Sequence, residues 1–309
     1  MSLGRFKYFA AALVSVAIWG FFAIPLRNLQ QYPSDVILHY RIFTSLLITW
    51  LLILLFRKKE IKNDIAYLKS SSPQSRKKIY LLTLTAGVLI TGNWFTFIYA
   101  VNNVSLTSAA FAYMVCPLIT AMGGFLILKE ALSRIKLVAI MIALISIVIL
   151  AQGSLVEVLW SVFIASLYAF YLIIQRVITQ LDKLNVLGIQ LIISFFIMLP
   201  LFIYNHTEFP TDINFWLNIL VISVVFTIIP LFLSLYALIG MPSSTLGIII
   251  YLNPVIAFAV AFFYFHDTIS PYQVYAYILL LAAVIVFNWN LLSSIFQKGY
   301  DKLNTTDVR

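Results

Sequence analysis

Acidic side chains are few and sit where one common mechanism cannot use them. The chain has 11 Asp and Glu in 309 residues, and each lies in a polar loop or near the end of an apolar run. A carboxylate that loads and unloads a proton in mid-membrane is therefore missing. That weighs against proton-driven antiport through a membrane acid and leaves a facilitator or an exchanger, unless His39 titrates instead. The single cysteine, Cys116, allows no internal disulfide and suits a small packing residue inside its run. Neither an H-E-x-x-H pair nor a phosphate-cradling glycine loop occurs, so no catalytic residue, metal or cofactor is expected.

What is present is apolar. Hydrophobic residues make up 62% of the chain and charged ones only 10%, with a mean hydropathy of +1.01, more than a water-soluble core of this size needs. Ten runs cover roughly residues 6–27, 35–56, 79–101, 104–128, 134–152, 154–175, 184–204, 216–239, 243–265 and 272–294. Each can cross about 30 Å of hydrocarbon at about 1.5 Å per residue. They are continuously apolar instead of alternating, which argues for helices over barrel strands. The first run follows basic residues, as in a signal peptide, but it continues to about residue 24 without a small-residue cleavage site and is kept as span 1.

The net charge of +9 reads as topology, not as a nucleic-acid surface. Arg57, Lys58, Lys59, Lys62, Lys69, Arg76, Lys77 and Lys78 all fall between spans 2 and 3, which should hold that segment in the cytoplasm. Counting alternate loops puts both termini on the same side, with every other Lys and Arg except Arg27 and Arg41. The segment itself reads as a long polar loop, flexible across Ser70, Ser71, Ser72, Pro73, Gln74 and Ser75.

The spans repeat. Tyr99, Ala100, Ser108, Pro117, Phe125, Glu130 and Ser133 recur 137 residues later as Tyr236, Ala237, Thr245, Pro254, Phe262, Asp267 and Ser270. Earlier in each half the offset is 149, pairing Trp19 with Tyr168, Arg27 with Arg176, Leu38 with Leu187 and Ser45 with Ser194. An odd number of spans per repeat inverts the second copy. Residues 1–153 and 154–296 are thus expected to form two inverted five-helix repeats, followed by a cytoplasmic tail at 297–309. Inverted repeats around a midplane site are the signature of alternating access.

Pro117 and Pro254 fall at the centres of spans 4 and 9, where a proline removes a donor and costs about 3 kcal/mol in a helix interior. They read as hinges lining a pathway or as ordinary kinks; Pro230 of span 8 is a third hinge candidate. Arg41 is the only full charge well inside a span. It binds a substrate carboxylate or phosphate with Tyr40 beside it, or holds Tyr40 and His39 in place, or snorkels to the headgroups. His39 reads as a local partner of Asp35, four residues before it. Asn93 and Trp94 pair an amide with a flat apolar surface, suited either to a solute or to an interhelical hydrogen bond. Trp19, Tyr113, Tyr168, Tyr171, Tyr236 and Tyr251 could wall the same cavity, with Asn253 adding an amide. Trp50, Trp160, Trp216 and Trp289 read as interface anchors. Ala139 with Ala143, and Ala282 with Ala283, read as close-packing surfaces in spans 5 and 10, for a scaffold or a homodimer.

The chain resembles the EamA branch of the drug/metabolite transporter superfamily, in particular its RarD-type members, over nearly its whole length. The likeness is carried by Ile18-Trp19-Gly20, His39-Tyr40-Arg41, Gly92-Asn93-Trp94 leading to Ala100-Val101-Asn102-Asn103, Pro117 with Lys129-Glu130, and Ser244-Thr245-Leu246-Gly247 leading to Asn253-Pro254. Asn253 and His266-Asp267 depart from the glycine and the Gly-Glu usual there. The resemblance implies a ten-helix carrier of the bacterial cytoplasmic membrane, with a central cavity lined by spans 1, 3, 4, 6, 8 and 9. The expected function is secondary transport of a small organic metabolite or drug, in export or exchange, with the lipid bilayer as the other partner. The alternatives are a polytopic membrane enzyme acting on lipid-linked substrates and a solute-sensing membrane protein.

Overall fold

Where no water reaches the backbone, each N–H and C=O must bond within its own segment, and continuous apolar runs of this length answer that demand as helices. In the computed structural model, described for residues 3–129, 133–151, 154–178, 180–205, 209–240, 246, 249–250, 252–266, 270–287 and 289, the elements are all helical. They are α1 (Leu3–Gly20), α2 (Ala23–Arg27), α3 (Ser34–Phe56), α4 (Lys58–Ser70), α5 (Pro73–Asn103), α6 (Leu106–Leu128), α7 (Arg134–Ala151), α8 (Leu155–Val177), α9 (Lys183–Tyr204), α10 (Ile213–Ser223), α11 (Ile229–Gly240), α12 (Leu252–Ala259) and α13 (Pro271–Phe287). One π-turn at Val224–Ile228 joins α10 to α11, and another at Val260–Tyr264 follows α12. Among the described residues six helical stretches are long and apolar enough to cross a membrane, and three shorter apolar ones accompany them.

The helix ends follow local chemistry. Ser72 accepts from the Ser75 N–H with Pro73 at the first helical position, Ser154 accepts from the Glu157 N–H, and Asp182 accepts from the Leu184 and Asn185 N–H groups. Lys129 (φ 54°) and His266 (φ 55°) are the described non-glycine residues with positive φ, each just past an apolar helical run.

The surface is inverted relative to a soluble protein. On α3, Ile37, Leu38 and Ile42 are buried while Leu51, Leu55 and Phe56 face out; lipid supplies the apolar solvent that makes such a face stable. Hydrophobic burial therefore does little to hold the helices together. Small residues and polar bridges do more. Ala139, Ala143 and Ala283 are buried, and Ser146 Oγ donates to the Ala276 carbonyl across α7 and α13 (2.7 Å), so these small residues serve the packing within the chain. Asn93 Nδ2 donates to the Ile164 carbonyl across α5 and α8 (3.0 Å), and Ser15 Oγ to the Pro230 carbonyl across α1 and α11 (2.7 Å).

Helix directions can be read from these contacts. Against α9, the start of α3 meets Phe202 and Asn205 while Arg57 at its end meets Asp182, so the two run antiparallel. Lys136 lies over the Phe287 ring and Ser146 bonds Ala276, so α7 and α13 are antiparallel as well.

Several expectations need correcting. The segment between spans 2 and 3 is not a loop: residues 58–70 form α4, and Pro73 already begins α5, six residues before the expected start of span 3. Although α4 buries no residue, Asp64 accepts from the Asp182 N–H (3.0 Å) and from Asn185 Nδ2 (2.6 Å), and Arg57 pairs with Asp182 at 2.6 Å. This polar clasp lies at one end of the α3–α9 pair. At the other end, Tyr40 meets the rings of Phe202, Phe209, Phe215 and Trp216 at centroid distances of 5.0 to 6.1 Å. His39 stacks on Phe202 (3.8 Å, 7°), and Asp35 takes Asn205 Nδ2. Trp50 donates to the Gly188 carbonyl (3.1 Å) and so helps pack α3 against α9.

Candidate functional site

The site begins with a proline. Pro230 has no N–H to return to the Phe226 carbonyl four residues earlier, and the backbone just before it relaxes into the π-turn at Val224–Ile228. Trp19 Nε1 supplies the missing donor to Phe226 at 3.0 Å. In the same turn Thr227 Oγ1 donates to the Ile222 carbonyl (2.9 Å) and accepts from Arg41 Nε (2.8 Å), while Ser223 Oγ donates to the Arg41 carbonyl (3.1 Å). The π-turn thus holds the Arg41 side chain, and the last residue of α10 holds its backbone. With 2% of its surface exposed, Arg41 runs into the molecule and not out to headgroups.

The guanidinium carbon lies 4.7 Å from the Trp94 ring centroid and 4.9 Å from that of Phe22. Its Nη1 is buried without a hydrogen-bond partner, and among the described residues no carboxylate pairs with it. Arg41 is one of the residues lining a cavity of about 30 Å³. The cavity is pinched, with clear room for roughly two water molecules.

Seven of the sequence candidates line this cavity: Trp19, Arg41, Asn93, Trp94, Tyr113, Tyr168 and Asn253. They come from α1, α3, α5, α6, α8 and α12. Phe22, Phe97 and Leu231 complete the wall and were missed by sequence reasoning. Helical spacing held the signal, since Phe22 and Phe97 follow Trp19 and Asn93 by one turn, and Leu231 follows Trp94 by the repeat offset of 137. Edge contacts join the wall, with Trp19 and Tyr168 at 6.2 Å and 87°, and Tyr113 and Tyr168 at 5.9 Å and 76°.

Three candidates are not at the cavity, and one of them, Tyr236, lies against the rings of Tyr8 (5.0 Å) and Phe232 (6.3 Å). Tyr40 belongs to the ring cluster at the end of α3, and the Tyr171 hydroxyl, fully buried, donates to Gln190 Oε1 (3.3 Å). Tyr251 lies outside the described residues. Pro117 sits in α6, which continues through it, and Pro254 sits within α12.

The EamA-like transporter family is matched twice along the chain, by residues 6–152 and again by residues 155–289. The chain belongs to that family. A Bacillus subtilis protein named as an uncharacterized transporter, YojE, is 30% identical, covering 90% of this chain and 92% of that one. RarD proteins of Streptomyces exfoliatus and Escherichia coli K12 are 27% and 26% identical over 89% of this chain, covering 86% and 92% of theirs. One solved crystal structure shares the fold, with a TM-score of 0.66 at 12% identity over 90% of this chain and 95% of its own. This EamA protein is therefore of the RarD type, a multi-pass membrane transporter of the drug/metabolite class.

Proposed function

We propose that the protein is a secondary transporter, not an enzyme, that moves a small organic solute across the bacterial cytoplasmic membrane by alternating access, in export or exchange. The observation that carries the reading is one buried cavity at the meeting point of helices from both halves of the chain, holding a charged side chain with an unsatisfied donor. A protein that only needed a stable bundle would gain nothing by keeping such a group there.

Duplication supports the mechanism. The family matches each half separately. The left-handed residues Lys129 and His266 are 137 positions apart, the offset of the sequence repeat. An inverted copy must run its equivalent helices in opposite directions, and spans 2 and 7 (α3 and α9) and spans 5 and 10 (α7 and α13) are antiparallel. Pairings between unlike spans also exchange under the repeat: α1 crosses α11 at Ser15 and Pro230, and α5 crosses α8 at Asn93 and Ile164. On this reading residues 1–153 and 154–296 are the two five-helix repeats, and the α4 clasp and both termini face the cytoplasm, as the clustered basic residues require.

Cysteine accessibility tests the mechanism without knowledge of the solute. Cys116 is buried and is the only native thiol, so a Cys116→Ala chain with Leu231→Cys places one reporter in the cavity wall. In oriented proteoliposomes a membrane-impermeant maleimide should label it from either face in separate experiments. Labelling confined to one face would refute alternating access.

A further inference from the structure

We infer that the solute is a small organic monoanion, a carboxylate on an aromatic or otherwise flat apolar body that lacks an amine, bound with its carboxylate on Arg41 Nη1. This names the substrate class of the cavity just described and rests on the transporter reading for its movement, though not for its binding.

The argument starts from an unbalanced charge. A buried cation with an unpartnered N–H is costly, because desolvation is not repaid by any acceptor. The rings of Phe22 and Trp94 attract the charge but offer Nη1 no oxygen. Nε is already used on Thr227, which fixes the guanidinium plane and leaves the Nη groups with capacity, the unpartnered Nη1 among them. A carboxylate oxygen is the acceptor that satisfies both the charge and the donor.

The rest of the wall narrows the class. Among the described residues lining the cavity, Arg41 is the one ionic side chain, and the others are aromatic rings, a leucine and the amides of Asn93 and Asn253. One cation neutralises one negative charge, so a dianion such as phosphate would bring an uncompensated charge into a poorly solvated site. A cationic amine would meet Arg41 with no carboxylate to receive it, which disfavours amines and, to a lesser degree, amino acids. Trp19, Trp94, Phe97, Tyr113 and Tyr168 supply aromatic surface for an apolar body. Because the cavity is pinched, the rings must part as the ligand enters, so binding and opening are coupled.

The two halves are unequal in this respect. At the repeat offset of 149, the counterpart of Arg41 is Gln190, whose Oε1 accepts from Tyr171 away from the cavity. The charge is therefore contributed by the first half alone, and a complex with a monoanion is neutral overall.

The test uses purified full-length protein in neutral detergent at pH 7.5, with binding followed by thermal shift and calorimetry. Four probes share one ring: phenylacetate, its uncharged amide phenylacetamide, phenylethylamine and phenylalanine. Phenylacetate should bind at least about 10-fold more tightly than the other three, and Arg41→Gln should weaken it by about 10- to 100-fold, the range for a charged hydrogen bond. If Arg41→Gln does not fold, the wild-type series still decides. Equal binding of the amide, or tighter binding of the amine or the amino acid, would overturn the assignment. No binding of any probe by a chain whose residue 231 cysteine labels from both faces would overturn the carboxylate class and leave the transporter reading standing. Selective phenylacetate binding by a chain that labels from one face only would support the anion site and sink alternating access.

Discussion

Trp19 and Pro230 should behave as one unit, because the tryptophan N–H occupies a carbonyl that the proline leaves open. The bond from Trp19 Nε1 to the Phe226 carbonyl is 3.0 Å long and partly buried. Trp19→Phe keeps a ring but removes the donor. A stranded carbonyl costs about 1–3 kcal/mol in a buried site, while polar contacts between membrane helices average about 0.6 and reach about 1.7 kcal/mol. The smaller ring also loses packing, but by the same amount in either background. Pro230→Ala restores an N–H that can return to the Phe226 carbonyl, so in that background the donor is no longer needed. A double-mutant cycle should therefore give a coupling of about 0.6–1.7 kcal/mol. Unfolding free energies of the wild type, both single variants and the double variant, from SDS titration in mixed micelles, supply the four corners. Costs that add to within about 0.3 kcal/mol would show that the indole and the proline act independently, and the account of the π-turn would fail.

Three further outcomes follow from the packing. Gly20→Ala would set its methyl 2.5 Å from Ile256 Cβ, an atom too close to its backbone to swing aside, so melting in detergent should show a loss of about 1–3 kcal/mol. His266→Gly should stabilise by about 0.5–1 kcal/mol, since relief of a left-handed side chain, about 1–2 kcal/mol, exceeds the entropy that glycine adds to the unfolded chain, about 0.4–1 kcal/mol; an unchanged or lower melting point would contradict it. Asp182 both caps α9 and pairs with Arg57, so Asp182→Ala should cost about 1–2 kcal/mol at any salt concentration, whereas Asp182→Asn keeps the cap and should show a smaller loss that fades in 0.5 M NaCl. Equal losses in the two variants would mean the cap contributes nothing.

Much of the site was legible because it breaks the pattern around it. A lone arginine in an apolar run, prolines inside spans and an Asn-Trp pair each stand out, and Arg41, Pro230, Asn93 and Trp94 all take part in the geometry around the cavity. What could not be read was direction. In a soluble helix polarity marks the outward face, but α3 and α8 are apolar almost all round, so nothing local separates Arg41, at the cavity, from Tyr40, one residue and about 100° away. Tyr171 failed for the same reason, three residues from Tyr168 yet turned towards Gln190. The clasp was missed because its partners are distant in sequence: Asp64 in a charged stretch looks solvated until Asp182 and Asn185, more than a hundred residues later, are brought to it. The packing bond of Trp50 was likewise hidden because its acceptor, the Gly188 carbonyl, belongs to another span.

The α3–α9 pair is closed by unlike fastenings. Separating it at the Arg57 end means breaking an ion pair and bonds to an aspartate, contacts that dissolved ions loosen. Prising it apart at the Tyr40 end means unpacking phenyl and indole rings, which ionic strength leaves intact and cooling weakens. Electrolyte and temperature therefore act on opposite ends of this helix pair, each loosening a fastening that the other leaves in place.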